Sequence, residues 1–509
     1  MADDFKGTDV IDTETQREEV PQLNQAYMNR LFCSTKERIG YILYEVFGAI
    51  NIGKYDIGSD IWLYKIFGLE PKPFAKANAT LGIYDMINDP LTAAIIDNMR
   101  TRWGKFKVFQ YLSMLPSIAI GLFMCFMPII ANNLALNTAQ RLIMYMIYAY
   151  ANETITAFFG GGGYIKNVFT PNPNERTSLL VSANFVGDLF KKLPSQIVGV
   201  LFDLVLNGKI NTTLSKMFVS SKTVVWTLAM IPTIYWYIVS KERVPQSEKP
   251  PHPVKGILSV FRNRPLLIQT LTGLIGGIDV GTGEDLYYSD VLNFTMLPTI
   301  GGIPGSPVSY VSYALVPKFR KRFSTKALWM LQSGSIVFSE GFFFLVGIIG
   351  GKEKGLYLKK VPMTIAFAIG NMVEMVFYAT KGIIGNEINF EVLDYCEWKN
   401  GYRVEATINL LTGYFTKIKN IILNLVNAKL LQDWAGYQIG ETAVQTLDTK
   451  WRLFLTACGP HLIFDVLALI PMLFYNIDKN TRERMYLDLE KMRAERAAEE
   501  KRRMDSEAQ

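Results

Sequence analysis

The chain has 509 residues, of which 49% are hydrophobic and 13% aromatic, and its formal net charge is +7. Its mean hydropathy is positive, at +0.15. Apolar stretches of about 20 residues recur along most of the length. A helix of that length can cross a hydrocarbon core of about 30 Å. These values exclude an ordinary soluble globular protein and predict an all-α polytopic membrane protein.

The sequence predicts about twelve membrane-spanning helices. In chain order they lie near Ile39–Phe67, Leu81–Met99, Phe109–Ile130, Leu142–Tyr164, Leu179–Leu206, Val224–Val239, Leu266–Leu292, Ile300–Leu315, Leu328–Ile349, Val361–Ile384, Ala406–Leu430 and Leu453–Tyr475. An even number of crossings places both termini on the same side of the membrane.

Basic residues indicate which side that is, because Lys and Arg favour cytoplasmic loops. They crowd the turns at residues 100–107, 241–264 and 318–322, and also the C-terminal tail. We therefore expect a multi-pass protein of the plasma membrane with both termini in the cytoplasm. The lysines of residues 352–360 break this rule.

The remaining composition points away from cofactor chemistry. The first 36 residues are polar and acidic, so no cleavable signal peptide is predicted. The four cysteines have no paired spacing and the two histidines are isolated from them, which indicates neither a disulfide framework nor a transition-metal site. We expect no cofactor, no enzymatic activity and no nucleic-acid partner.

A polar, proline-rich segment divides the chain into two halves of about six spans each. The predicted domains are a cytoplasmic N-terminal segment 1–35, a six-helix bundle 36–241, a cytoplasmic linker 242–264, a second six-helix bundle 265–477 and a charged helical tail 478–509. A basic turn follows the second span of each half, which suggests two related bundles. The tail alternates charge at helical spacing, so a solvated helix is expected there.

The second span carries two carboxylates and an amide on one helix face. Asp85, Asn88 and Asp89 stand at i, i+3 and i+4, which places their side chains about 5–6 Å apart. Converging oxygen ligands suit a small hard cation, and Pro90 can free a backbone carbonyl nearby. Pairing of the carboxylates with basic residues on neighbouring helices is the structural alternative. Because buried carboxylates are costly in a membrane, we favour a cation site.

Two segments resemble the signatures of the glycoside-pentoside-hexuronide:cation symporters, the family of melibiose permease. The first runs from Tyr84 to Phe106 and contains Asn-Asp-Pro followed by Arg-Thr-Arg-Trp-Gly-Lys-Phe. The second runs from Asp394 to Glu405 and precedes Lys417. The resemblance extends over residues 35–476. It implies a major-facilitator fold, with two six-helix bundles and a substrate site between them.

The resemblance also implies roles for particular residues. Asp85, Asn88 and Asp89 match the family's coupling-ion site, and an ungapped reading of helix four adds Thr156 to it. The coupling ion would be Na⁺, Li⁺ or H⁺, with Na⁺ as the expected metal. Lys417 matches a basic residue that balances the carboxylates when the ion is absent.

The family's sugar ligands are not retained. In ungapped readings their positions fall on Ala49, Phe159, Gly163 and Asn184. These small, apolar or amide groups lack the charged acceptors that sugar hydroxyls prefer, so sugar specificity cannot be transferred. The residues predicted instead to bind substrate are Tyr44, Asn184, Asp188 and Lys192.

Further charged residues lie inside the spans, among them Glu153 on helix four and Asp279, Glu284 and Asp285 on helix seven. Intramembrane charge indicates a functional site. Several of these residues lie near span ends, however, where the side chain can reach water.

Opposite charges on turns of the two halves predict a cytoplasmic gate. The residues are Arg100, Arg102, Lys105, Asp394, Glu397, Arg403 and Glu405. Bridging between the bundles would lock an outward-open state, whereas the alternative is a topology signal alone. We expect Arg102→Ala and Glu405→Ala to slow turnover while leaving ion affinity nearly unchanged.

The sequence thus favours a monomeric secondary transporter in the lipid bilayer, which couples a monovalent cation to a sugar, glycoside, sugar acid or related polar solute by alternating access. One alternative is a symporter for a lysolipid-like or amphipathic solute, favoured by Ala49, Phe159 and Gly163. Another is a non-transporting membrane sensor with the tail as its output. Retention of Asp85 and Lys417 argues against the sensor.

Overall fold

The computed structural model describes most of the chain. The described residues are 31–48, 59–99, 101–104, 106–170, 193–243, 263–281, 283–400, 405–477 and 481–489, with isolated positions between 175 and 190 and between 491 and 495. They form helices joined by turns, and no strand occurs among them. The prediction of an all-α protein is confirmed.

The described part of the N-terminal half contains six long helices. They are α1 (Thr35–Leu43), α2 (Pro71–Asn98), α3 (Lys107–Asn133), α4 (Thr138–Phe159), α5 (Leu193–Leu206) and α6 (Leu214–Val239). Ser34 begins α1 with a capping box, in which its hydroxyl accepts from the Glu37 amide and the Glu37 carboxylate accepts from the Ser34 amide. A π-helical turn, Tyr44–Gly48, extends α1, and a second π-helical segment, Ile61–Ile66, precedes α2.

Between residues 263 and 477 the C-terminal half contains nine helices of six or more residues in the part of the chain described. They are α7 (Arg264–Gly276), α8 (Glu284–Asp290), α9 (Leu297–Gly302), α10 (Gly305–Arg322), α11 (Thr325–Ile348), α12 (Lys360–Met375), α13 (Tyr378–Asn400), α14 (Glu405–Lys429) and α15 (Leu447–Leu473). A π-helical turn, Leu430–Trp434, follows α14.

The seventh predicted span is interrupted, contrary to the prediction of one helix over Leu266–Leu292. The chain leaves the helix after Gly276 and resumes it at Glu284. Gly281 lies in this break with φ +154°, and a Cβ there would collide with the Thr456 carbonyl of α15. Glycine is therefore required by both backbone conformation and close packing.

The tenth predicted span, Val361–Ile384, is also divided. The helix α12 ends at Met375, and α13 continues from Tyr378 to Asn400. Within the described ranges, four helices are long and apolar enough to cross a membrane by length and composition, namely α3, α6, α11 and α15. The number of twelve crossings stays a prediction, because residues 49–58 and most of 171–192 lie outside the described residues.

Most helices pack within their own half. The main contact between the halves is the pair α2 and α14, which lie side by side. Gly82 permits this approach, since a Cβ at Gly82 would lie 2.9 Å from the Ile421 side chain. The domain boundaries stay a prediction, because the linker residues 244–262 lie outside the described residues.

The two ends of the molecule are packed differently. The basic end is the end that holds residues 101–104, 240–243, 263–264 and 476–477. The opposite end holds the turns at residues 68–70, 134–137, 207–213, 292–296 and 435–446. At the opposite end one apolar core includes residues of both halves, such as Phe67, Phe218, Leu297 and Phe454.

At the basic end each half has its own core. Tyr41, Phe109 and Trp236 belong to the N-terminal core, whereas Leu328 and Ile388 belong to the C-terminal one. No described residue is shared between these two cores. The structure is therefore sealed at the opposite end and divided at the basic end.

Buried polar contacts join the halves at the opposite end. The Lys65 ammonium lies 2.7 Å from the Asp290 carboxylate, and these side chains are only 4% and 3% exposed. The Tyr437 hydroxyl also donates to Asp290, at 3.2 Å. Asp203 accepts hydrogen bonds from the amides of Thr295 and Met296. Because buried charges are stable only when paired, these contacts require that the halves stay together here.

Candidate functional site

A charged cluster lies where α2 crosses α14. The Lys417 ammonium of α14 is 2.9 Å from an Asp85 oxygen and 2.5 Å from an Asp89 oxygen. The three side chains are 29%, 30% and 41% exposed, so water screens the pairs in part. The two aspartates come from the N-terminal half and the lysine from the C-terminal half. The cluster therefore joins the halves.

A third carboxyl group, on α4, completes this Lys417 cluster. Asn88 is 2% exposed and donates its amide to Glu153, at 3.4 Å. The Glu153 carboxyl interacts directly with Asp85, and it also has an electrostatic interaction with Lys417. Two carboxylates thus contact the ammonium group, and a third carboxyl group lies beside Asp85. The donor set is rich in hard oxygen atoms, which fits a small monovalent cation.

Sequence reasoning placed Thr156 in this site, whereas the structure brings a different threonine near α2. Thr154 shares a hydrogen bond of 2.9 Å with the Tyr84 hydroxyl. Thr156 is exposed, and it makes no hydrogen bond with another described residue. Glu153 was noted only as an intramembrane charge. Its role beside Asp85 depends on how α4 is rotated against α2, which the sequence does not indicate. The cation site stays a prediction.

A cavity of about 470 Å³ lies between the halves, toward the opposite end. The N-terminal half contributes acidic, amide and aromatic side chains, and the C-terminal half contributes carboxyl and amide groups. These polar and aromatic lining residues include Asp60, Tyr64, Phe74, Asn78, Asp279, Glu284, Asp285, Asn424 and Asn427. Both halves therefore line one polar cavity.

The break between α7 and α8 forms one wall of this central cavity. Asn427 of α14 holds the break in place, since its side-chain oxygen accepts from the Gly281 amide at 2.9 Å and its amide donates to the Asp279 carbonyl at 2.7 Å. The sequence indicated charge at Asp279, Glu284 and Asp285. It gave no sign of Asn427, because the break itself was not predicted.

The predicted substrate residues do not line this cavity in the described part of the chain. Tyr44 stacks on Trp236, with ring centroids 6.0 Å apart, and also packs near Tyr237. These rings belong to the basic end. Asn184, Asp188 and Lys192 lie outside the described residues, so those three predictions stay untested.

The predicted cytoplasmic gate is described only in part. The Arg102 guanidinium lies over the neighbouring Trp103 ring, 4.6 Å from its centroid. Asp394 and Glu397 of α13 are buried, at 6% and 7% exposure. Arg100, Lys105 and Arg403, together with the side chain of Glu405, lie outside the description. Among the described residues, ion pairs between the halves occur at the opposite end and at Lys417.

The tail forms a helix over residues 481–489 that docks on α13, in contrast to the expected solvated helix. Arg482 lies 3.0 Å from Glu391, which is 1% exposed. The Trp398 indole donates to Asp488, at 3.0 Å. Met485 and Leu489 are 0% and 1% exposed, so one face of this tail helix is buried while its charged face is solvated.

This all-α architecture, with two helical halves, a cavity between them and charges at their junction, defines a membrane transporter of the major-facilitator type. The model of the family described as MFS/sugar transport protein matches residues 42–479, and the chain belongs to that family. The predicted resemblance and the major-facilitator fold are confirmed. The chain is a multi-pass membrane protein and a transporter rather than an enzyme.

Curated relatives align over most of their length. The uncharacterized symporter YnaJ of Bacillus subtilis is 24% identical, over 84% of this chain and 88% of the relative. The isoprimeverose transporter of Lactiplantibacillus pentosus is also 24% identical, over 85% and 86%. The putative sulfoquinovose importer of Salmonella typhimurium is 22% identical, over 78% and 80%.

Proposed function

We propose that this chain is a cation-coupled symporter of a neutral polyhydroxylated solute, a sugar or a glycoside. The observation that carries the proposal is the Lys417 cluster, in which one ammonium from α14 is shared by two carboxylates of α2. A symporter, a putative sulfoquinovose importer and an isoprimeverose transporter are among the relatives, and they support a sugar-type solute.

The cluster suggests how the ion and the conformational change are connected. Asp85 and Asp89 outnumber the single ammonium, and a Na⁺, Li⁺ or H⁺ would reduce the excess negative charge. The bound cation would compete with Lys417 for Asp85 and Asp89. Since Lys417 belongs to the other half, ion binding changes a contact between the halves. Coupling then follows if ion and solute prefer the same state.

The central cavity suggests which solute is carried. Asp60, Asp279 and Glu284 offer carboxyl oxygens, and Asn78 and Asn424 offer amides. Carboxylates are strong acceptors for hydroxyl groups, whereas an anionic solute would be repelled by them. This lining favours a neutral sugar or glycoside over a sugar acid. It also disfavours a lysolipid-like solute, whose chain requires an apolar surface.

The basic residues suggest the orientation. Because Lys and Arg favour the cytoplasmic side, we place the basic end and both termini in the cytoplasm of a cell whose plasma membrane holds the protein as a monomer. The sealed opposite end then faces outward. The structure would correspond to the inward-facing state of the alternating-access cycle.

Ion binding is tested by thermal unfolding of the purified protein, titrated with NaCl, LiCl and KCl at constant ionic strength. A ligand that binds only the folded state stabilises it by about 2.7 kcal/mol at a hundred times its Kd. We expect a response to Na⁺ or Li⁺ in the wild type that the double variant Asp85→Asn with Asp89→Asn loses. Asp448→Asn is the matched control, because its exposed carboxylate pairs only with Lys352 among the described residues.

Solute identity is tested by uptake into proteoliposomes under an imposed ion gradient. Labelled pentose and hexose glycosides, a hexuronate and a lysolipid are compared. We expect glycoside uptake that requires the gradient. Uptake of the lysolipid alone would contradict the proposed solute, and absence of both a cation response and pH-driven uptake would contradict coupling.

A further inference from the structure

A second ionisable cluster lies wholly within the C-terminal half. His461 of α15 pairs with Asp279 in the break after α7, with Nε2 and Oδ1 2.8 Å apart. Asp465 stands one turn after His461, and Glu340 comes from α11. One oxygen of Glu340, one oxygen of Asp465 and one nitrogen of His461 all lie within 4.8 Å of one another. We call these four residues the His461 cluster.

The His461 cluster is separate from the Lys417 cluster. It shares no residue with it, and it is built from α11, α15 and the break after α7 rather than from α2, α4 and α14. The described titratable and charged groups that face it from the surrounding elements are Glu284, Tyr288, Lys381, Lys419 and Cys458.

The closeness of the two carboxyl groups favours a shared proton. One oxygen of Glu340 and one oxygen of Asp465 lie within 4.8 Å of each other, and an ionised carboxylate can only accept a hydrogen bond. A hydrogen bond between the two carboxyl groups therefore needs one proton shared between them. One oxygen of Glu340 is buried and has no hydrogen-bond partner among the described residues. Two neighbouring charges of the same sign, poorly solvated, are otherwise unfavourable.

The His461 cluster also adjoins the central cavity. A small cavity of about 40 Å³ lies against Glu284, Glu340 and His461, and a space of this size holds about one water molecule. Asp279 and Glu284 line the central cavity as well, and the Asp279 side chain is 70% exposed. The small cavity and the exposed Asp279 side chain therefore connect the half-buried carboxyl pair with the central cavity.

We infer that Glu340 and Asp465 bind one proton between them, and that His461 and Asp279 connect this proton with the central cavity. The exchange is a simple proton transfer, in which the proton enters from cavity water and leaves to it. The site adds a proton-binding step in the C-terminal half to the ion step at the junction. Its existence does not depend on the proposed cation site or solute.

Histidine NMR provides a direct test, since the chain contains only two histidines, His252 and His461. The full-length protein is labelled at the histidine rings and titrated in detergent from pH 5 to pH 9, and His252→Gln identifies the remaining signal. We expect the His461 signal to change in two steps, one for its own ring and one for the neighbouring carboxyl pair. Glu340→Gln with Asp465→Asn should remove one of the two steps.

The controls separate this site from its alternatives. Asp85→Asn with Asp89→Asn should leave the two-step titration unchanged, so failure of the cation site would not affect this result. Asp448→Asn is the control for loss of a carboxylate elsewhere. A single-step titration that the double variant leaves unaltered would overturn the inference. So would a His461 signal that micromolar Zn²⁺ or Mn²⁺ shifts, because the cluster would then be a metal site.

If the double variant does not fold, Glu340→Gln alone is measured. The glutamine side chain keeps the shape of Glu340 but removes one of the two carboxyl groups that share the proton. Loss of one titration step in this variant would support the inference, and retention of both steps would contradict it.

Discussion

The two ends of this transporter differ in how the halves meet. At the opposite end, Lys65 and Asp290 form a buried ion pair inside a core that both halves share. At the basic end, the N-terminal and C-terminal cores contain separate sets of residues. The buried ion pair and the apolar core at the opposite end both need residues from the two halves. The difference shows that each half keeps a core of its own at the basic end, so the packing there does not depend on the other half.

The Lys417 cluster lies between these two ends. It belongs to the long contact of α2 with α14. Toward the opposite end, Lys72 of α2 also pairs with Asp433, in the π-helical turn that follows α14. Lys417 and its partners are partly exposed, unlike Lys65 and Asp290. Partly hydrated ion pairs can be broken at a lower free-energy cost than buried ion pairs.

The largest effect is expected from breaking the buried pair at the opposite end. Lys65→Met leaves Asp290 buried without its ammonium partner and should lower the free energy of unfolding by about 3–5 kcal/mol. Chemical unfolding of the purified protein measures this loss. Replacing both partners, Lys65→Met with Asp290→Leu, should restore part of it, because no buried charge then remains.

The exposed pair of Lys352 and Asp448 is the control for that change. Lys352→Met should lower the free energy of unfolding far less than Lys65→Met, since exposed ion pairs contribute little. If Lys65→Met costs no more than this control, the buried pair does not seal the opposite end.

A smaller, local effect is expected at the basic end, where the tail helix docks. Met485→Ala removes a fully buried side chain and should weaken docking by about 2 kcal/mol, at the low end for such changes. Hydrogen exchange of the amides of residues 481–489 measures it. Leu487→Ala is the matched control, because Leu487 is 60% exposed. Equal acceleration in both variants would show that the buried face does not hold the tail.

A smaller effect again is expected from a substitution at the junction of α2 and α14. Lys417→Met removes the ammonium that competes with a cation, and a change of about 1 kcal/mol corresponds to about fivefold tighter binding of Na⁺ or Li⁺. Cation titration of thermal unfolding measures the affinity. Lys419→Met serves as control, since Lys419 donates to the Gly277 carbonyl rather than to Asp85 or Asp89. Unchanged or weaker cation binding in Lys417→Met would argue against competition.

The smallest effect concerns the segment that precedes α1. Burial raises the pKa of Glu175, but hydrogen bonds from Thr170 and from the amides of Phe32 and Cys33, with the Arg38 ion pair, lower it by more. The pKa in the folded protein is therefore below its usual range.

Stability from Glu175 is consequently present above the unfolded pKa of about 4.3 and is lost as the pH falls through the lower folded value. We expect wild-type unfolding temperature to decline with acidification more steeply than that of Glu175→Gln, by the equivalent of about 1 kcal/mol or less. Parallel declines in the two proteins would remove Glu175 as the cause.

The sequence determined much of this protein by itself. Apolar stretches long enough to cross a bilayer specify an all-α membrane protein, because backbone groups in lipid must be satisfied within helices. The spacing of Asp85, Asn88 and Asp89 along one helix fixes their common face. The motifs around Asp85 and Asp394 identified the family, and the family comparison confirms it.

Tertiary structure decided which distant groups meet. Spacing along α15 places only Asp465 beside His461, whereas α11 and the break after α7 bring Glu340 and Asp279 to it. Likewise, Glu153 became a partner of Asn88 only through the packing of α4 on α2. Periodicity specifies the face of a single helix, whereas the rotation of two helices against each other depends on side chains far apart in the chain. The partners of a buried charge are therefore set by packing, even where the charge itself is evident from the sequence.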